Sequence, residues 1–437
     1  MKRSLLLITL LLSLSVMGQQ RVLTLEEAVA AALQQNYDIQ LSRNDSVVAA
    51  LNHSYADWAL WPQVNANGGY QLNNNNQRQT LADGRKIERN GIRANNLNAS
   101  INLNWTLFDG LRMFITRKRL GELVHLGELQ VQTQVVATVA DVMRSYFEMA
   151  RLQQQKAALD EQMRLSGERL QLAQYKFDIG TGTKADVLQA QIDNNAQRAQ
   201  LLGSENALVQ AREQLALLMA SKPGEPFNVH DSIPVNRSLL LDSVRKGIEA
   251  VNPQLLLNRQ QQEIAGLMIR ERKAERWPTV NFNSAYNFNR NENKTVINPF
   301  QPLFNQNRGF NYGFTATVPI FNGFSVRRNI RAAEIDLEQL QLQYRRSEAV
   351  IASGIAQAWQ GYELARNTLS LEEANMTLVR ENLFIARERY RLGVSTFIEM
   401  RIAEQNLADA QFRLIQARFN TKLAEIQLLQ LRGDIIR

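Results

Sequence analysis

Four stretches of this chain alternate apolar and polar residues with a period of two, the mark of a strand with one apolar face. In the first, Val64, Ala66, Gly68, Tyr70 and Leu72 oppose Gln63, Asn65, Asn67, Gln71 and Asn73. In the second, Leu97, Ala99, Ile101, Leu103, Trp105 and Leu107 oppose Asn96, Asn98, Ser100, Asn102, Asn104 and Thr106. The third sets Val280, Phe282, Tyr286 and Phe288 against Thr279, Asn281, Asn283, Asn287 and Asn289. In the fourth, Phe310, Tyr312, Phe314, Ala316, Val318 and Ile320 oppose Asn311, Thr315 and Thr317. Each runs about 10–12 residues, the length a tilted strand needs to cross a hydrocarbon layer. The polar faces carry neutral Asn and Thr, which suit a water-filled lumen, while the aromatic and aliphatic faces suit lipid. A soluble sandwich with one wet face is the competing reading. Four strands cannot close a membrane barrel, and open edges are not tolerated in lipid, so several chains must share one barrel.

The rest of the pattern is helical. Residues 111 to about 176 hold no proline and place Val135, Val139, Val142, Met143, Tyr146, Phe147 and Ala150 at helical spacing, with polar residues such as Glu168, Arg169, Gln171 and Gln174 between. At 1.5 Å per residue this predicts a rod of roughly 100 Å. After a turn at Gly180 a second helix runs from about 183 to 220, and the scheme returns at 325 to about 390 and 396 to 431. Helices of this length point to coiled-coil packing. A shorter helix precedes each strand pair, over residues 25–60 and 239–276, with breaks expected near Asn36 and near Asn252-Pro253.

The whole scheme is written twice. Trp61-Pro62 returns 216 residues later as Trp277-Pro278. Phe108-Asp109-Gly110 returns after 213 as Phe321-Asn322-Gly323, and so does Phe177-x-x-Gly180-x-x-Thr183-x-x-Asp186 as Tyr390-x-x-Gly393-x-x-Thr396-x-x-Glu399. Such a period is too long for a solenoid unit and reads as a duplicated half-structure. The expected divisions are residues 19–220 and 239–437 as the two repeats, joined by 221–238. That connection carries Pro223, Pro226 and Pro234, as either a plain linker or a packed segment.

Composition adds an export signal and removes most chemistry. Lys2 and Arg3 followed by the apolar run from Leu5 to Leu14 read as a secretory leader over residues 1–18, too short to span a bilayer. There is no cysteine, which excludes disulfides, thiol catalysis and an acylated N-terminal cysteine. The net charge of +8 is spread thinly and falls by two with the leader, so no nucleic-acid footprint is read. His53, His125 and His230 lie far apart without companions at ligand spacing, no phosphate loop precedes a helix, and the methionines are scattered. No catalytic residue, cofactor or metal site is expected, and the chain is not expected to be an enzyme.

A chain that reads as helix, strand hairpin, very long helix, turn and long helix, twice over and exported, resembles the TolC-like outer-membrane efflux proteins along essentially its whole mature length. The match is carried by Leu107-Phe108-Asp109-Gly110 and Val318-Pro319-Ile320-Phe321-Asn322-Gly323, where strand turns into long helix. There Asp109 and Asn322 offer capping side chains and each glycine a residue free to turn. The resemblance implies a mixed α and β fold, internally duplicated. An outer-membrane β-barrel, with four strands per chain and twelve in a trimer, would continue into a long antiparallel α-helical periplasmic barrel. It further implies a homotrimer that meets outer-membrane lipid, a periplasmic adaptor protein and an inner-membrane pump, and exports small molecules passively from a Gram-negative cell. Two alternatives stand beside it: a duct for type I protein secretion, and a periplasmic coiled-coil scaffold without a pore.

The tips where the long helices turn are the candidate site. Read locally, Thr183 to Asp186 and Thr396 to Glu399 are capping boxes. The resemblance implies instead a periplasmic gate at Asp186, Tyr390 and Glu399, with adaptor-contacting turns at Gly180, Thr183, Gly393 and Thr396. Ser395 and Ile402 depart from the family's gate arginine and second acid, so a lock between chains would use Arg391 or Arg401. If the two acids line the lumen, an acidic ring favouring cations follows.

Overall fold

The computed structural model describes residues 21–296 and 300–435; the expected leader at 1–18 lies outside them. In chain order the elements are β1 (Arg21–Leu23), α1 (Leu25–Gln35), α2 (Tyr37–Ser54), a 3-10 turn (Trp58–Leu60), β2 (Gln63–Thr80) and β3 (Lys86–Phe108). The long pair α3 (Arg112–Asp178) and α4 (Lys184–Leu218) follows, then β4 (Phe227–Val229), α5 (Leu241–Arg245), α6 (Ile248–Val251) and α7 (Pro253–Ala274). The chain ends with β5 (Thr279–Asn293), β6 (Phe304–Thr317), α8 (Ser325–Arg391) and α9 (Phe397–Arg432). Both α3 and α8 hold 67 residues. Among the described residues no helix is long and apolar enough to cross a membrane.

The chain divides into two compact units, and each draws on both halves of the sequence. One comprises residues 46–127 and 258–343. It contains a four-stranded antiparallel sheet in the order β2-β3-β5-β6. The register keeps like faces together, as Ile101 pairs with both Ala66 and Tyr286, and Tyr286 with Phe310. On the opposite face Asn98 pairs with Gly69 and with Asn289, which in turn meets Asn307. The strands are longer than expected, at 18, 23, 15 and 14 residues. Alternation marks only the part with an apolar face; beyond Leu72, backbone pairing continues to Thr80 opposite Lys86 without one. The fourth strand is shorter at its end: β6 stops at Thr317, because Pro319 brings no N–H to a ladder and Val318 and Ile320 fall in the following loop.

Asp109 behaves as its position predicts, its carboxylate accepting the Met113 N–H at 3.1 Å to cap α3. The second copy differs. There the backbone carbonyl of Asn322, not its side chain, accepts the Ser325 N–H at 3.1 Å.

The other unit comprises described residues in 21–45, 128–257 and 344–435. Its core is the stripe of α3 picked out by helical spacing, with Val139, Val142 and Phe147 packed with Leu215 of α4 and Ile426 of α9. Each fully buried side chain of this size contributes roughly 1.5–3 kcal/mol. The connection at 221–238 is packed, not a plain linker. Its strand β4 pairs in parallel with β1, and Phe227, Val229 and Ile233 are buried. Two buried tyrosines of the long helices hold it, Tyr146 Oη accepting the His230 N–H at 3.2 Å and Tyr362 Oη donating to the Asn236 carbonyl.

Asn36 and Asn252, where the helix breaks were expected, are buried staples. The Asn36 carboxamide oxygen accepts the amides of Asp38 and Ile39 at 3.0 and 3.2 Å, starting α2, while its Nδ2 donates to the Leu218 carbonyl at the end of α4 at 2.9 Å. Asn252 repeats the arrangement, accepting from Leu255 N at 3.0 Å and donating to the Leu431 carbonyl at 2.8 Å. Only a side chain with both an acceptor and a donor can start one helix and close another. Asn36→Ala is expected to cost about 2 kcal/mol and to raise hydrogen exchange at Asp38 and Ile39 about thirtyfold. Unchanged exchange at those two amides would show that the staple carries no load.

Candidate functional site

Both tips end in the same turn, for the same reason. The Thr181 N–H reaches back to the Lys176 carbonyl at 2.9 Å and Gly180 N–H to Phe177 at 3.0 Å. In the second copy Val394 N–H reaches Arg389 at 2.9 Å and Gly393 N–H reaches Tyr390 at 3.1 Å. This is the Schellman closure, which needs a left-handed residue just past the helix. Gly180 and Gly393 supply it with φ of 77° and 74°. Gly182 is fixed by space instead, since a Cβ there would stand 2.9 Å from Lys176 Cβ.

The starts of α4 and α9 differ. Thr183 and Asp186 form a complete capping box: Thr183 Oγ1 accepts the Asp186 N–H at 3.2 Å, and Asp186 Oδ2 accepts the Thr183 N–H at 3.3 Å and its hydroxyl at 2.7 Å. The second box is only half made. Thr396 Oγ1 accepts the Glu399 N–H at 3.2 Å, but Glu399 Oε2 turns to the Ser395 hydroxyl at 2.8 Å and lies 3.9 Å from Arg389. Serine at 395 offers the carboxylate a stronger donor than the cap amide. Tyr390 packs edge-on against Phe397 at 6.4 Å and takes Lys176 Nζ of α3 over its ring at 4.0 Å. Of the three residues expected at the gate, Tyr390 thus reaches across from one helix pair to the other, while the hydrogen bonds of Asp186 stay within its own turn. Arg391 is spent on Glu388 of its own helix at 2.8 Å.

A charge cluster the pattern did not single out lies behind the tips. Arg169, read in the sequence as a polar residue between apolar ones, is 91% buried, with 9% of its side chain exposed. Its Nη1 donates to Glu404 at 2.9 Å and its Nη2 to Asp193 at 3.3 Å. Arg401 grips the same Asp193 with two bonds, at 2.9 and 3.0 Å. One aspartate and one glutamate thereby tie α3, α4 and α9 together. Burial pushes the Glu404 carboxyl above the usual carboxylate range, against the pull of Arg169 and Arg387. A polar hollow of about 530 Å³ opens beside the cluster, lined by Gln162, Ser166, Gln197 and Gln200. Helical spacing marks such charges as solvated, and only the three-dimensional packing reveals their burial. Among the described residues no group of three or more His, Asp or Glu side chains is placed to hold a metal ion.

The arrangement is two helix pairs tied together near their tips by Arg169, Asp193, Arg401 and Glu404. The outer membrane efflux protein family model matches residues 28–221 and 246–434, nearly all of both helix–sheet–helix halves. The chain belongs to this outer membrane efflux protein family. The outer membrane efflux protein BepC of Brucella suis is 23% identical over 97% of this chain and 88% of its own length. The outer membrane protein TolC of Vibrio cholerae is 21% identical over 90% of this chain and 86% of its own. The crystal structure of the outer membrane protein VceC of Vibrio cholerae superposes with a TM-score of 0.73 at 16% identity, covering 94% of this chain and 96% of that one. This outer membrane efflux protein therefore has the fold of a TolC-type channel, with a β-barrel in the outer membrane and an α-helical tunnel in the periplasm. It serves as an efflux duct. The scaffold alternative, a coiled coil without a pore, falls with that assignment.

Proposed function

We propose that three copies of this chain close one twelve-stranded barrel and one helical tunnel, forming the passive exit of a tripartite pump for small molecules. The observation that carries this is the four-stranded sheet, whose strands β2 and β6 are both left as edges. Edges in lipid must be paired, and two such edges per chain pair head to tail around a ring. In this reading residues 19–220 and 239–437 act as two structural repeats about the 221–238 connection. An inner-membrane pump supplies the energy, a periplasmic adaptor meets the turns at Gly180, Thr183, Gly393 and Thr396, and the chain itself performs no catalysis.

The gate in this reading is the tip, held shut by Tyr390, Asp186 and Glu399. The contact of Tyr390 with Lys176 supports Tyr390 as a strut between helix pairs. The exposure of Glu399, which takes one side-chain hydrogen bond, from Ser395, where Asp186 takes two bonds from Thr183, supports it as a carboxylate facing the lumen. Asp186 is the weakest of the three, since its carboxylate is already engaged by Thr183. Conductance of the purified protein in a planar bilayer tests the proposal. Discrete steps are expected, with conductance rising in Tyr390→Ala/Glu399→Gln, which removes the ring that Lys176 packs on, and cation selectivity falling in Asp186→Asn/Glu399→Gln. Steps of unchanged size and selectivity in both double variants would remove the tips from the gate.

A further inference from the structure

The junction between β6 and α8 exposes apolar side chains that its backbone is bent to place. Phe324 has φ 59°, and Leu111, its counterpart after β3, has φ 68°. That left-handed region is disfavoured for any residue with a Cβ, and for bulky residues it marks a position with a task. Phe324 is 65% exposed, beside Phe321 at 77% and Ile320 at 94%. The two phenylalanine rings meet edge-on at 5.7 Å. At the same end of the sheet Trp61 precedes β2 and Trp277 precedes β5, both exposed. Aromatic side chains gathered at one end of a membrane sheet mark the level of the lipid headgroups.

One and two turns into α8 the same face becomes cationic. Arg327, Arg328 and Arg331, with Phe324 and Ile335, line a shallow groove of about 560 Å³. Arg331 is shared with Glu334 at 3.2 Å and Glu338 at 3.5 Å. Arg327 and Arg328 are exposed and have no ion pair among the described residues. Guanidinium groups match phosphate oxygens in a planar fork, and an aromatic ring next to them matches acyl chains. We propose that this face binds the phosphate headgroup of an anionic phospholipid in the leaflet bordering the helical end of the sheet. Arg327 and Arg328 hold the phosphate, and Phe321 and Phe324 lie among the upper acyl chains. The site rests on the outer-membrane placement of the sheet, and it fixes the depth of the barrel at its lower rim.

The test is native mass spectrometry of the full mature protein taken from bilayers of phosphatidylcholine with and without phosphatidylglycerol. Wild-type protein is expected to carry phosphatidylglycerol in preference to phosphatidylcholine, and Arg327→Gln/Arg328→Gln to lose that preference roughly tenfold. Arg327→Lys/Arg328→Lys, which keeps the charge, is expected to retain part of it. No preference in the wild type, or equal retention in the glutamine variant, overturns the proposal. So does displacement of the lipid by soluble glycerol phosphate, which would make the site one for free phosphate. Loss of the assembled oligomer in the glutamine variant would also overturn it, because a second copy of the chain would then cover the arginines. Wild-type protein found outside the bilayer would strike the membrane placement itself, a failure separable from all of these.

Discussion

Arg169→Ala is expected to loosen the tip by about 3–5 kcal/mol, the effect of removing one partner from a buried ion cluster. Arg169 donates to Glu404 and Asp193 at the same time, so its loss leaves Glu404 without its ion-pair partner and Asp193 with Arg401 alone, both carboxylates being nearly buried. Its guanidinium also lies over the Phe397 ring at 5.8 Å, and that contact goes with it. Hydrogen exchange along the first turns of α4 and α9 would report the loss, together with an open-channel conductance in bilayers. Asp193→Asn/Glu404→Gln added to Arg169→Ala is expected to recover most of the stability, because both nearly buried carboxylate charges are then gone and Arg401, left without Asp193, is 38% exposed and solvated. Arg164 is the control, as its partners Glu161 and Glu168 are about half exposed and its removal should leave exchange unchanged. Glu404 also predicts a pH dependence. Its folded carboxyl binds a proton more tightly than the unfolded one, so its contribution grows as the pH falls towards the usual carboxylate range. That contribution is lost as the pH rises through the folded value. A protonated Glu404 still accepts from Arg169, and Asp193 keeps the ion pair. Mild acidification should therefore tighten the wild-type tip relative to Glu404→Gln; identical pH profiles would show that Glu404 does not titrate in the cluster.

What the alternation of residues encodes and what it does not can be read from particular positions. The faces of the four strands were legible because one face must be apolar: Ile101, Tyr286 and Phe310 line up across three strands. The hairpin end of β2 was not, since Asn73 to Thr80 pair through backbone groups that every residue has. The long helices were legible through their core stripe at Val139, Val142 and Phe147. Arg169 was not, because a lone arginine inside a helical pattern looks the same whether water or two carboxylates receive it. The difference between the tips was half legible. Both carry threonine followed by an acid, yet Ser395 diverts Glu399 from the cap while Gly182, at the matching place, has no hydroxyl to do so. The packing of the 221–238 connection could not be read from its prolines, because the groups that hold it come from Tyr146 and Tyr362 on distant helices.

The two strand-to-helix junctions make opposite demands on their glycines, and the second large effect follows from that. Gly110 and Gly323 occupy matching places, with φ of 74° and 58°. A Cβ on Gly110 would stand 2.5 Å from the Ala274 carbonyl oxygen and 2.8 Å from Trp277 Cβ, while one on Gly323 would meet nothing within 4 Å. Gly323→Ala therefore meets only the left-handed backbone penalty, about 1 kcal/mol. Gly110→Ala adds a clash with a backbone carbonyl that cannot rotate away, and overpacking of this kind brings the total to about 3 kcal/mol or more. The geometry also explains why the clash cannot be relieved by a small shift. Asp109 is held by its cap on the Met113 amide, and Trp277 leads directly into β5 through Pro278, so displacing either disturbs the sheet or the start of α3. Gly110→Ala is expected to lose most of the heat-stable assembled protein recovered from outer membranes, and Gly323→Ala to keep most of it. Equal recovery of the two variants would mean that α7 gives way at Ala274, and that the close approach there does not set the junction.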